Sequence, residues 1–452
     1  MKRILSWAAA AIAVAIGGLA AFGWLASRDE PAPADDAEFA VARPEVAPEE
    51  NAFTYFLAAT NLLVETTNAQ LVADFLAGRA PDGAELRALV ASNSACFAQV
   101  KRGTECAVCR FPLPPSFFDS EFPYFNPWLK IGRLLAVRSR QARLDGRWAE
   151  AVVDAWTVAR LGGLVADNAE SMMHYLVGVA IAGEGFEQIL ALATDPAVPA
   201  DDLRVLAAGL DQLGPYDAGL VRALKMEALY AAELVAGFAS GRIDWIDLIA
   251  FGNRNGARDW RQRLFAAVLR SPYFFRPQAT LRAVREKYRQ AIRDAAWPYA
   301  QADATEEPKF GQSLLQLLRP NSIGEFFRRM VVMPARMTLE NKCRAESLLA
   351  GAKLAVACSR FQRKQGRWPE TLPELVPEFL AEVPRDPFDG EPFRYSAEKG
   401  LVWSVGKNLT DEGGSTRASG PYKEYVPGRD RRRAEDFVFE LRPPPAEAAA
   451  GP

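Results

Sequence analysis

The chain has 452 residues, 49% of them hydrophobic and 24% charged, with a formal net charge of −2. That balance is globular, its length suggests two or three domains, and it offers no global field for nucleic acid or a strongly acidic partner. The single histidine, His174, excludes any site needing two imidazoles from one chain, which removes most zinc hydrolases and facial-triad iron enzymes while leaving a His-Asp-Ser triad open.

Met1-Lys2-Arg3 precedes an apolar run over residues 4–26, with Trp7 and Trp24 near its ends and Asp29 and Glu30 just beyond it. As a helix the run reaches ~34 Å, enough for a bilayer core of about 30 Å. Residues 1–27 thus read as a single transmembrane anchor with a cytoplasmic N-terminus, sending the body outward, into the periplasm if the cell has an outer membrane. The alternative is a cleaved signal peptide cut after Ala20 or Ala26, although such cores usually hold about 7–15 apolar residues. Either way the body is extracytoplasmic. From 28 to 50 the chain is rich in Pro, Ala, Asp and Glu without apolar periodicity, which predicts a flexible acidic tether. Residues 442–452 read as a disordered tail of similar composition.

Residues 51–333 carry helical spacing almost throughout and predict an irregular helical array. Asn51 is placed to cap a helix bearing Phe53, Phe56, Leu57 and Leu63. A helix from about Trp128 to Leu144, a turn at Asp145-Gly146 and a helix from Arg147 form a hairpin that resembles one tetratricopeptide-type unit, without a second copy at a fixed period. Further helices are expected near 167–192, 200–213, 216–239, 258–270, 278–296 and 310–331. After Pro334 a long helix is expected over 335–365, ended by Gly366 and Pro369. A short helix near 371–376 follows, then strands at 392–396, 401–405 and 436–441. The whole is mainly α with a small C-terminal α+β unit over 334–441.

That unit carries, in order, Gly366-Arg367-Trp368-Pro369, Leu372-Pro373-Glu374-Leu375-Val376-Pro377, Asp386-Pro387-Phe388-Asp389-Gly390-Glu391-Pro392-Phe393-Arg394-Tyr395, Trp403-Ser404-Val405-Gly406-Lys407-Asn408 and Asp411-Glu412-Gly413-Gly414. It resembles the soluble head of the major pseudopilin of the type II secretion system. The resemblance covers about a quarter of the chain and implies a small sheet laid on one long helix. It departs from that family in the ~280 residues before the head and in lacking a prepilin-peptidase motif at the N-terminus, so a reused terminal domain is expected rather than a fibre subunit. The resemblance also implies calcium in the loop between the last strands, at Asn408, Asp411 and Asp436. The competing reading is a solvated turn held by its own Asx side chains, with Arg429, Arg431, Arg432 and Arg433 in the same loop.

Three other features carry chemistry in principle. Cys106 and Cys109 form one CxxC, half of a zinc site without its second half. In an exported protein a disulfide among Cys96, Cys106 and Cys109, or buried thiols, is the expected alternative. His174, in Met172-Met173-His174-Tyr175, lacks any nucleophile-elbow motif nearby and reads as a core or surface histidine. Arginines crowd the stretch 254–293, including Arg258, Arg261, Arg263, Arg282, Arg285 and Arg289, with Trp260, Tyr273, Phe274 and Phe275 among them. They offer a surface for anionic headgroups, an acidic polymer or a partner protein, and the acidic tether could dock there; a solvated helix face is the plain alternative. Together these features suggest a non-enzymatic membrane-anchored interaction or assembly protein. The alternative is an exported hydrolase using two carboxylates on carbohydrate or cell wall.

Overall fold

The computed structural model describes residues 28–32, 37–66, 68–113, 122–243, 267–302, 319–332, 335–416 and 436–442. The apolar run 4–26, Arg258, Arg261, Arg263 and the tail beyond 442 lie outside the described residues.

Twelve α-helices and one small sheet are present among the described residues. The helices are α1 (Ala52–Leu62), α2 (Ala69–Leu76), α3 (Ala84–Ser92), α4 (Ser94–Thr104), α5 (Phe125–Leu144), α6 (Trp148–Asp167), α7 (Met172–Ala193), α8 (Ala200–Leu210), α9 (Asp217–Ala239), α10 (Pro277–Ala295), α11 (Ser322–Val331) and α12 (Ala335–Gln365). Asn51 caps α1, its Oδ1 accepting from Phe53 N at 3.1 Å. The same side chain exchanges hydrogen bonds with the backbone of Arg110, so the cap also fixes the loop that carries Cys109. The α5–α6 hairpin turns at Gly146, whose φ of 73° suits glycine.

α7 lies at the centre, packed against α5, α6, α9 and α12. Gly162 on α6 and Gly178 on α7 let those two backbones touch, since a Cβ on either residue would fall on main-chain atoms of the other helix. By length and composition α7 could also cross a membrane, but more than half of it is buried inside the protein.

The strands are β1 (Arg394–Ser396), β2 (Leu401–Ser404) and β3 (Phe437–Glu440), paired antiparallel in that order. The register sets Tyr395 opposite Val402 and Val402 opposite Phe439. Phe439 packs on α12 at Gly351, where a Cβ would meet its ring. The other side of α12 meets α7 and α8: Ser359 Oγ donates to Ala193 O at 2.5 Å and Arg363 to Asp195 O at 3.0 Å. One hydrophobic core therefore runs from Phe39 through α6–α10 and α12 into the sheet, without a break at residue 333. Each large side chain fully buried there stabilises by about 1.5–3 kcal/mol.

Candidate functional site

The segment read as a free tether is packed on the body. α10 opens with Pro277 and has no capping side chain of its own at Arg276, so its first amides need a partner. Asp29 supplies it from 249 residues away: Gln278 N donates to Asp29 Oδ2 at 2.8 Å and Ala279 N to Oδ1 at 3.1 Å. A carboxylate there also meets the positive end of the helix dipole. Glu30 pairs with Arg282 at 2.7 Å, and Arg282 also donates to Pro31 O. Glu38 accepts from Arg289 Nε at 2.8 Å, which holds its carboxyl below the usual range. Phe39 is buried in the main core. Of the arginine surface, Arg282 and Arg289 thus serve this acidic segment, while Arg285 is itself buried rather than presented to solvent. Of the two expectations for this segment, docking on the arginine stretch describes these contacts; composition does not reveal the added hold of a single buried Phe39 or of acceptors aimed at the amides of α10.

Further along the segment, Arg43 reaches a polar knot beneath α7. Glu170 Oε1 receives Arg43 at 3.2 Å, Arg110 at 3.1 Å and Arg222 at 2.6 Å, and its side chain is only 2% exposed. Beside it Ser171 caps α7 by accepting from His174 N. The His174 ring meets Ser171 Oγ at 2.8 Å through Nδ1 and the Tyr124 hydroxyl at 3.0 Å through Nε2. Phe111 and Phe125 enclose it, with ring centroids 4.0 and 4.9 Å away. Burial pushes its pKa down to about 3, so it is neutral at physiological pH. The contact to Ser171 has the atoms of a nucleophile–base pair, but both residues are buried and the second ring nitrogen meets a phenol instead of a carboxylate. Here the histidine ties three core elements together.

The cysteines stand as free thiols. Cys96 and Cys109 are fully buried and Cys106 is partly exposed. Burial pushes Cys96 up to about 11 and raises Cys109 as well, the opposite of what a reactive thiolate needs.

Asn408, Asp411 and Asp436 share one loop region, yet their oxygens face donors of the protein. Asp436 accepts from the backbone amides of Glu412, Gly414 and Ser415 at 3.4, 2.8 and 2.9 Å. Asp411 accepts from Trp403 Nε1 and Gly413 N, both at 2.9 Å. Asn408 donates to Glu412 at 2.9 Å. Arg394 pairs with Asp386, Asp389 and Asp411. No group of three or more His, Cys, Asp or Glu is placed to hold a metal ion among the described residues. Asn408 and Asp411 each close an Asx turn on the amide two residues on, whereas the buried Asp436 ties down the distant 412–415 backbone.

Sequence reasoning missed a buried acid–base cluster between α9 and α12. Lys342 donates to Ala295 O at 2.6 Å, pairs with Asp217, and lies 3.7 Å from Glu346. Glu346 also hydrogen-bonds Asp217. The hydroxyls of Tyr175 and Tyr216, both without a hydrogen-bond partner, lie close enough to feel its charge. Spacing of four between Lys342 and Glu346 looks in sequence like a solvated helix pair, so only burial distinguishes it. A carboxylate hydrolase needs its acids about 5–10 Å apart across an open cleft; Asp217 and Glu346 touch, and Glu346 lies beneath the surface.

Burial pushes the Glu346 carboxyl up to about 8, against the pull of Lys342 and with that of Asp217. The unfolded chain releases this proton near 4.5. Between those values the unfolded state binds fewer protons than the folded one, so stability is full below the lower value and falls as pH rises through the upper. From about pH 7 to 8 the folded chain's His174, near 3, and Asp167, near 6, keep their charge, and what the unfolded histidine still releases is common to the parent and the variant and cancels between them. Glu346→Gln should therefore flatten the loss of stability over that window, read as denaturant midpoint against pH. Equal slopes in the two proteins would remove the assignment.

Comparison of the chain with protein-family models, curated proteins and solved structures gives no match.

Proposed function

We propose that this is a membrane-anchored extracytoplasmic protein whose helical body acts as a non-enzymatic interaction or assembly scaffold, with a pseudopilin-like unit at its C-terminal end. The observation that carries this reading is the docked acidic segment. It follows the apolar run directly and is held to the body by a helix cap, ion pairs and Phe39, so the anchor and the body form one jointed unit. A scaffold benefits from such a fixed presentation, whereas a tethered enzyme reaching for substrate would need slack.

The test is cross-linking of the full-length protein in native membranes, alongside carbonate extraction and protease accessibility from each side. Retention after carbonate, an externally accessible body and repeated capture of the same envelope-assembly proteins are expected. Release by carbonate would remove the anchor, and capture of the protein alone would remove the scaffold role.

A further inference from the structure

We infer that the loop leading into α10 is a membrane-contact surface that rests in the headgroup region of the phospholipid bilayer. The inference depends on residues 4–26 being a membrane span, and it adds an orientation of the body to that reading.

Chain length supplies the main constraint. Asp29 is bonded to the amides of Gln278 and Ala279, and it lies only three residues on from Ala26 at the end of the apolar run, with Ser27 and Arg28 between them. Three residues span at most about 11 Å. A span ending at Ala26 therefore holds the first turn of α10 within roughly 16 Å of the hydrocarbon edge, that reach plus one aspartate side chain, whatever path residues 27 and 28 take. The surface beside it lies close enough to meet the headgroups.

The surface found at that end of α10 has the composition an interface selects. Phe275 points inward and packs on Phe238 and Phe327, with ring centroids 4.8 and 5.5 Å away, which fixes the loop. Val268 and Pro272 are exposed, Val268 by 46%. Tyr273 and Phe274 are half-buried and pack edge to face at 5.1 Å. Arg270 and Arg276 flank them. Aromatic rings with arginines around a small apolar tip suit the boundary between headgroups and acyl chains. Alone such a patch would bind a bilayer weakly; tethered this closely it meets lipid at high effective concentration.

The experiment places one environment-sensitive fluorophore at a time on the full chain in vesicles of phosphatidylcholine and phosphatidylglycerol, with shallow nitroxide lipids to read the surface positions and deep acyl-chain nitroxide lipids to read the apolar run. Cys106→Ser removes the one partly exposed thiol, the other four cysteines being fully buried. Labels go on Val268→Cys, on Pro272→Cys as a second reporter of the same loop, on Val14→Cys inside the apolar run, and on Val205→Cys, a 57% exposed position on α8. We expect strong quenching at Val14, and at Val268 and Pro272 quenching about twofold or more above that at Val205. Quenching at Val14 with Val268 and Pro272 no different from Val205 would overturn the contact surface and leave the anchor standing. An unquenched Val14 would overturn the anchor, and this orientation with it.

Discussion

Replacing Glu170 by glutamine or alanine is expected to lower the stability of the folded chain by about 3–5 kcal/mol, the range for breaking a buried ion pair by removing one partner. Glu170 is the shared acceptor of Arg43, Arg110 and Arg222, which come from the acidic segment, the loop after α4 and helix α9. Without the carboxylate three guanidinium groups face one another beneath α7. They are 15–23% exposed, so water reduces the penalty without removing it, and glutamine, which keeps the shape and loses the charge, should cost nearly as much as alanine. Glu150→Ala serves as the reference, because the Glu150–Arg147 pair is 45% exposed on both sides and such pairs contribute about 0–1 kcal/mol. Urea midpoints of the three variants decide the matter. A Glu170→Gln protein unfolding at the parent midpoint would mean that the arginines relax into solvent and the knot is no clamp. Because Arg43 is one of the three, loss of the knot should also loosen the hold of the acidic segment on the body.

The parts of this structure that were legible in the sequence are those governed by local periodicity and punctuation. The α5–α6 hairpin follows from apolar spacing and from Asp145-Gly146, and Gly146 adopts the positive φ that the turn requires. The long helix begins at Ala335 and ends at Gln365, just before Gly366, and three short antiparallel strands fall within the stretches of alternating residues after it. What could not be read locally was relation across distance. Asp29 and Gln278 are joined by a hydrogen bond; charge complementarity suggested that the acidic segment could meet the arginine stretch, but not that a carboxylate would cap α10. Asp411 and Asp436 are calcium-ligand residue types, yet their oxygens face Trp403 and backbone amides, a matter of orientation that composition does not encode. The long helix α12 does more than open the C-terminal stretch. Its apolar residues in fact fall on more than one face, and the second face is what seats it against α7 and α8 as well as the sheet.

The other large effect is expected at Gly178. Alanine normally stabilises a helix interior relative to glycine by about 0.5–1 kcal/mol, so the substitution tests whether the contact between α6 and α7 can yield. A Cβ on Gly178 would fall on the backbone N and Cα of Ala166, and one on Gly162 on the backbone of Ala182 and Gly178. These obstacles are main chain, and no rotamer change moves them aside. The two helices would have to separate along a seam at the centre of the protein, losing contacts on both sides of it. We expect Gly178→Ala to cost about 2–3 kcal/mol net and Gly178→Val more, at or beyond the upper end of overpacking penalties. Gly183, on the same helix, supplies the control: its Cβ would sit 3.5 Å from a Leu348 methyl, an ordinary contact. Gly183→Ala should therefore raise the unfolding midpoint while Gly178→Ala lowers it. Opposite signs on one helix would separate intrinsic propensity from backbone contact. If both variants were stabilised, the α6–α7 seam would have slack, and the rigidity on which a fixed presentation of this body depends would have to come from elsewhere in the fold.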